Sequence, residues 1–117
     1  MKEKYAKYYK EGKTTEEAIK RLEDIISVLR SDEGCPWDKA QTHKSIRSCL
    51  LEEAYEAADA IDKEDFDNLE EELGDVLLQV IFHADLANDE QRFDLRSIAN
   101  RESDKMLRRH PHVFIAF

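Results

Sequence analysis

Four carboxylates, arranged as two pairs, are the residues of this sequence best placed to do chemistry. Glu53 and Glu56 stand three apart, and Glu72 and Asp75 repeat that spacing. On a helix, residues three apart point to the same side, with Cβ atoms about 5–6 Å from each other. The stretch from Glu52 to Asp75 is dense in acids, and Lys63 is its one base. Carboxylates gathered at close range repel unless something neutralises them. An all-oxygen donor set suits Mg²⁺ or Mn²⁺. Such an ion keeps positions open for water and a substrate phosphate, polarises phosphoryl oxygens and makes water easier to deprotonate. Acidic helix faces also occur as plain solvated surface. Glu72 and Asp75 are harder to read that way, because Leu69, Leu73, Val76 and Leu77 surround them. Carboxylates seldom lie so close to a core without a partner. Glu52 adjoins the first pair; the periodicity leaves it open as a further ligand, a base for water or a surface acid.

Positioning these groups is the task of the helices. Thr14 and Glu17 form a capping-box signature ahead of Ala18, Ile19, Leu22, Ile25, Ile26 and Leu29, which recur at helical spacing. A helix over 15–30 follows. Residues 31–42 read as a loop that holds Gly34, Pro36 and the single Trp37. A tryptophan there is either a plug on the core edge or a stacking platform for a planar ligand. A second helix, over 43–62, places Ile46, Leu50, Ala54, Ala57, Ala58 and Ile61 on one side. After a turn at 63–65, a third helix covers 66–87, and its second half is apolar nearly all round, which suits a central or shared helix. A fourth is expected over 94–108. If the second and third helices pack antiparallel across their short turn, the two pairs face each other at similar heights. Basic residues flank the acidic block: Lys39, Lys44 and Arg47 before it, and Arg101, Lys105, Arg108 and Arg109 after it. His43 reads as a polar group at a helix start, and His83 as a satisfied core histidine.

Composition narrows the function classes. The formal net charge of −9 repels a long polyanion, so a nucleic-acid polymer is not an expected partner. A phosphorylated small molecule remains compatible when a divalent ion bridges the charges. Three glycines and two prolines are too few for the turns of an all-β fold. Residues 1–13 are charged, lack an apolar core of the kind a leader needs, and read as a flexible N-terminal arm. The rest, 14–117, reads as a single domain. The two cysteines form no metal-binding or redox spacing, and a cytoplasmic location with no membrane contact is expected.

Several stretches resemble one family. Glu33-Gly-Cys-Pro-Trp-Asp38 with Gln41-Thr42-His43, Leu51-Glu-Glu-Ala-Tyr-Glu56, Glu71-Glu-Leu-Gly-Asp75 and Arg108-Arg-His-Pro-His-Val-Phe114 are similar to the motifs of MazG-type nucleoside triphosphate pyrophosphohydrolases. The resemblance covers about 20–114. It implies an all-α fold of the NTP pyrophosphatase type, a bundle of four to five helices that shares its core with a second subunit. It implies a homodimer, or a tetramer, and Mg²⁺-dependent hydrolysis of an NTP or dNTP to monophosphate and pyrophosphate. Water would attack the α-phosphorus, in a role linked to cleaning the nucleotide pool. By the motif match, Glu53, Glu56, Glu72 and Asp75 are the metal ligands, with Mn²⁺ as an alternative ion. Glu52 and Glu53 are the residues implied in activating water. Trp37 is implied as a base contact, and Lys105, Arg108 and Arg109 as phosphate contacts. The tail, Ile115-Ala-Phe117, departs from the polar continuation usual in the family. The competing expectation is a non-catalytic helical interaction module that docks a basic partner on its acidic face and needs no metal. A di-iron carboxylate bundle is disfavoured, because the Glu-x-x-His pairs it requires are absent.

Overall fold

The computed structural model describes residues 2–115 and is all-helical there. Helix α1 (Thr15–Leu29) begins as its capping residues dictate. Thr14 Oγ1 accepts the Glu17 amide at 3.1 Å, and the Glu17 carboxylate accepts the amide of Lys13 at 2.8 Å. The chain then doubles back sharply. A Cβ on Gly34 would lie 2.1 Å from the Val28 carbonyl oxygen and 2.4 Å from that of Leu29, so only glycine fits against the end of α1. Within the expected loop Pro36 opens a single helical turn, α2 (Pro36–Lys39). Proline is suited to a first helical position because its missing N–H would have no partner there.

Helix α3 (Arg47–Asp62) starts later than the hydrophobic periodicity suggests. The cause is local. The Thr42 amide donates to Ser45 Oγ at 2.8 Å, and the Ser45 amide donates to Thr42 Oγ1 at 3.1 Å. These side-chain bonds offer the backbone an alternative to the helix and hold residues 43–46 in turns. Helix α4 (Phe66–Asp89) follows a tight turn. The Asp65 amide donates to Ala60 O at 3.0 Å and the Glu64 amide to Ile61 O at 3.1 Å, with Glu64 left-handed at φ 53°. That is the Schellman pattern, met here without the usual glycine. The same arrangement recurs after α4, where Gln91 takes φ 57°. Helix α5 (Leu95–Arg109) opens with a reciprocal Asp94–Ser97 capping box, and α6 (Pro111–Phe114) is one turn.

Helix α4 is central, as its apolar second half predicts. Ile81, Phe82 and Leu86 bury against Ile26 of α1 and Ile46, with Leu22, Cys49, Leu78 and Leu95 closing the cluster. Antiparallel α3 and α4 form the most extensive pairing, and α5 packs more sparsely on the end of α4. Arg30, just past the end of α1, is half-buried, with its side chain 8% exposed; it pairs with Asp85 and, at 3.0 Å, with Asp89, and lies over the Phe82 ring.

One expectation needs correction. The face of α3 that packs inward contains Ala57 and Ala60, whereas Leu50, Ala54, Ala58 and Ile61 lie exposed. The small alanines let α3 and α4 approach closely, and the bulkier stripe is left uncovered. In the N-terminal arm, Glu3–Tyr9 form a 3₁₀ helix. Lys4 and Tyr5 both bond Glu33, and Arg21 Nε donates to the Tyr8 carbonyl at 2.8 Å.

The radius of gyration is 16.9 Å, against about 13 Å for a compact chain of roughly 100 residues. Leu51, Tyr55 and Ile61 on α3, Phe66 and Leu73 on α4, and Val113 to Ile115 near the end stand exposed. No helix among the described residues is long and apolar enough to cross a membrane.

Candidate functional site: a carboxylate cluster between α3 and α4

The close approach of α3 and α4 brings carboxylates from both helices to one place. Glu53, Glu56 and Glu72 each offer an oxygen, and these atoms all lie within 4.8 Å of one another. Asp75 is outside this tight trio, yet near enough for its charge to act on both Glu53 and Glu72. Glu52 is exposed beside Glu53 and adds a smaller repulsion. Glu53 and Glu72 are half-buried, and each has one carboxylate oxygen shielded from solvent without a hydrogen-bond partner.

The electrostatics follow from that geometry. Burial raises the Glu53 carboxyl above its ordinary value, and the charges of Asp75 and Glu56 push it further. Glu72 is raised to about 7, first by burial and then by Glu56, which stands within hydrogen-bonding reach of it. Every charged group that acts on these two carboxyls is another acid. A cluster with orphaned oxygens and no cation of its own is short of positive charge. Its donors are all hard oxygens, and they match the ligand preference of Mg²⁺ or Mn²⁺.

The remaining residues singled out by sequence lie on other elements. Trp37 is on α2 and is 76% exposed. Its carbonyl accepts from Gln41 Nε2 at 3.0 Å, which ties it to the turn before α3. Lys105 and Arg108 line an open groove of about 980 Å³ along α5, together with Arg92, Arg96 and Arg101. Arg109 ends α5 and does not line this groove. Thus the chain gathers the paired carboxylates between α3 and α4 and lines a separate groove along α5 with five of its 18 basic side chains. Arg92 and Arg96 were not singled out from the sequence. The spacing of Arg101, Lys105 and Arg108 marks one helix face, but the turn that adds Arg92 to it is a tertiary feature. His83, read as a satisfied core residue, instead meets His43 with Nδ1 and leaves its Nε2 buried and unpartnered.

Known proteins resemble this chain over most of its length. Residues 41–114 match the family model of the MazG nucleotide pyrophosphohydrolase domain. Over 97 residues the chain is 56% identical to the nucleoside triphosphate pyrophosphohydrolase of Escherichia coli strain K12, covering 82% of this chain and 37% of that protein. Over 96 residues it is 48% identical to the nucleoside triphosphate pyrophosphohydrolase/pyrophosphatase MazG of Thermotoga maritima, covering 82% of this chain and 38% of the relative. Over 105 residues it is 50% identical to the uncharacterised protein YabN of Bacillus subtilis, covering 90% of this chain and 22% of YabN. The chain therefore spans between about a fifth and two-fifths of the length of these relatives. The family match runs through both carboxylate pairs and covers more than half of the sequence: the chain belongs to the MazG nucleotide pyrophosphohydrolase domain family.

Proposed function

We propose that this chain hydrolyses nucleoside or deoxynucleoside triphosphates to the monophosphate and pyrophosphate, with water attacking the α-phosphorus. The observation that carries this reading is the convergence of Glu53, Glu56 and Glu72 from two helices, with one oxygen of Glu53 and one of Glu72 left without a hydrogen-bond partner. In the proposed site these three and Asp75 hold Mg²⁺, or Mn²⁺. When bound, the ion neutralises phosphate oxygens and acidifies water. Glu52 and Glu53 accept the water proton: Glu52 is exposed beside the cluster, and the raised affinity of Glu53 for protons suits a base. Lys105, Arg108 and Arg109 hold the phosphate chain, and Trp37 stacks on the base.

The placement of the basic α5 groove apart from the carboxylate cluster supports a site completed by a second copy. The uncovered apolar residues of α3 and α4 supply a surface for that partner. We assign a homodimer, or a tetramer containing it, in which one catalytic domain spans residue 14 onward and residues 1–13 are an accessory arm. A nucleotide-pool cleaning role in the cytoplasm is part of the same reading.

Ion-exchange analysis of products from a panel of NTPs and dNTPs, with and without Mg²⁺, tests the reaction. Monophosphate plus pyrophosphate, formed only with metal, is the expected result. Diphosphate plus orthophosphate would keep a metal site but move the cleavage position. No turnover by the folded oligomer would favour the non-catalytic interaction module.

A further inference from the structure

Outside the carboxylate cluster, one group of titratable side chains has a geometry with a function of its own. His43, in the turn before α3, and His83, in the middle of α4, approach with their Nδ1 atoms 2.8 Å apart. Their ring planes differ by 8°, and the centroids lie 5.0 Å apart. Such a short contact between nitrogens, with centroids so widely spaced, sets the rings edge to edge near one plane. The lone pair of one nitrogen then faces the N–H of the other. On its far side His43 Nε2 meets Glu90 Oε1 at 2.7 Å, while His83 Nε2 is buried without a partner.

Proton counting defines what this arrangement tolerates. A neutral imidazole has one donor and one acceptor nitrogen, and an imidazolium has two donors. With two protons on the pair, His83 Nδ1–H donates to His43 Nδ1, and His43 Nε2–H donates to Glu90. With a third proton, His43 donates from both nitrogens, to His83 and to Glu90, and the Nδ1 contact survives. With a fourth, both Nδ1 atoms carry hydrogen and the contact becomes repulsive.

What the contact holds is the segment that leads to Trp37. The Thr42–Ser45 exchange surrounds His43, Ser45 Oγ donates to Gln41 Oε1 at 2.7 Å, and Gln41 Nε2 donates to the Trp37 carbonyl. The geometry points to His43 and His83 as positioning residues: a one-proton clasp that fixes the Trp37 segment on α4 and opens when both rings are charged. Its consequence for substrate rests on the reading of Trp37 as a base contact; the clasp itself does not.

The charges around the pair agree with opening only under acid conditions. Glu90 faces His43, and Arg92 lies 3.6 Å from Glu90. Arg30 of α1 is engaged by Asp85 and Asp89 on α4. Arg47 begins α3, Asp94 caps α5 and Arg96 lies in its first turn. Burial, and then the neighbouring His43, lower the proton affinity of His83 below the ordinary histidine value. A histidine shifted downward favours the intact fold above its ordinary value. That contribution is lost as the pH falls through the lowered one.

Imidazole ¹⁵N spectra and amide hydrogen exchange, corrected for intrinsic rates, test the clasp in the intact chain. At pH 8 one Nδ1 should carry a proton and the other should not. Between pH 8 and pH 5 protection of residues 40–46 should fall about 3- to 10-fold, the worth of one hydrogen bond, while core amides of α4 hold theirs. His43→Phe keeps a ring without nitrogens and should show the low protection already at pH 8, with a several-fold higher KM and little change in kcat. Two Nδ1 atoms without protons, or protection in the wild type that is independent of pH, would overturn the clasp. A Trp37→Ala variant with unchanged KM would instead overturn the base-contact reading, and exchange alone would then decide the clasp.

Discussion

Glu53 and Glu72 gain little from the protein for being half-buried: each leaves one oxygen without a partner, and their neighbours are acids. Two consequences are testable at this scale. The first concerns pH. Glu72 is raised from near 4.5 to about 7, so between those values the folded protein holds a proton that the unfolded chain gives up. The Glu72 contribution to the stability of the metal-free protein, read as wild type against Glu72→Gln, should therefore decline as the pH rises from about 4.5 to 7, the sign opposite to that of a carboxylate paired with a cation. Thermal melts across that window check it, and saturating Mg²⁺ at pH 7.5 should raise the melting temperature by binding the native state alone. The second is substitution. Glu53→Gln or Asp75→Asn should abolish turnover while circular dichroism shows unchanged helix; retained activity would remove the metal-site assignment. The carboxylate pairs were legible in the sequence because helical spacing fixes which residues share a side. The His43–His83 contact was not, because its partners are far apart in sequence and no periodicity links a turn to a buried helix face.

Among the elements, the turns carry information that the helices do not. Glu64 and Gln91 occupy left-handed positions that favour glycine. Glu64→Gly should raise stability by about 0.5–1 kcal/mol, the relief of a left-handed side chain less the entropy of a freer unfolded chain. Gly34→Ala should cost about 1–3 kcal/mol, since a methyl group would overlap the carbonyls that end α1. Both are read by urea denaturation with unchanged slope. The existence and order of the four long helices, α1, α3, α4 and α5, followed from hydrophobic spacing and caps, whereas the single turns α2 and α6 did not. The start of α3 did not, because Thr42 and Ser45 bind each other's amides and outcompete helix at residues 43–46. The inward face of α3 was misjudged for a related reason. Periodicity reports where apolar side chains lie, and it does not report whether the same chain or another molecule covers them.

The whole molecule is extended, 56 × 37 × 34 Å, with the carboxylate cluster between α3 and α4, a basic groove along α5, and a bulky apolar stripe uncovered. These features suit a second copy. Sedimentation equilibrium should give at least twice the chain mass of 13.7 kDa. Placing charge in the stripe with Leu50→Glu and Ile61→Glu together should shift the protein toward monomer and reduce turnover with it. The central claim, that the carboxylate cluster serves water attack on the α-phosphorus, is tested most directly by turnover of an NTP with Mg²⁺ in ¹⁸O-labelled water. Label in the monophosphate, with unlabelled pyrophosphate, is the expected result. Label in the pyrophosphate or in orthophosphate would place the attack elsewhere and contradict it.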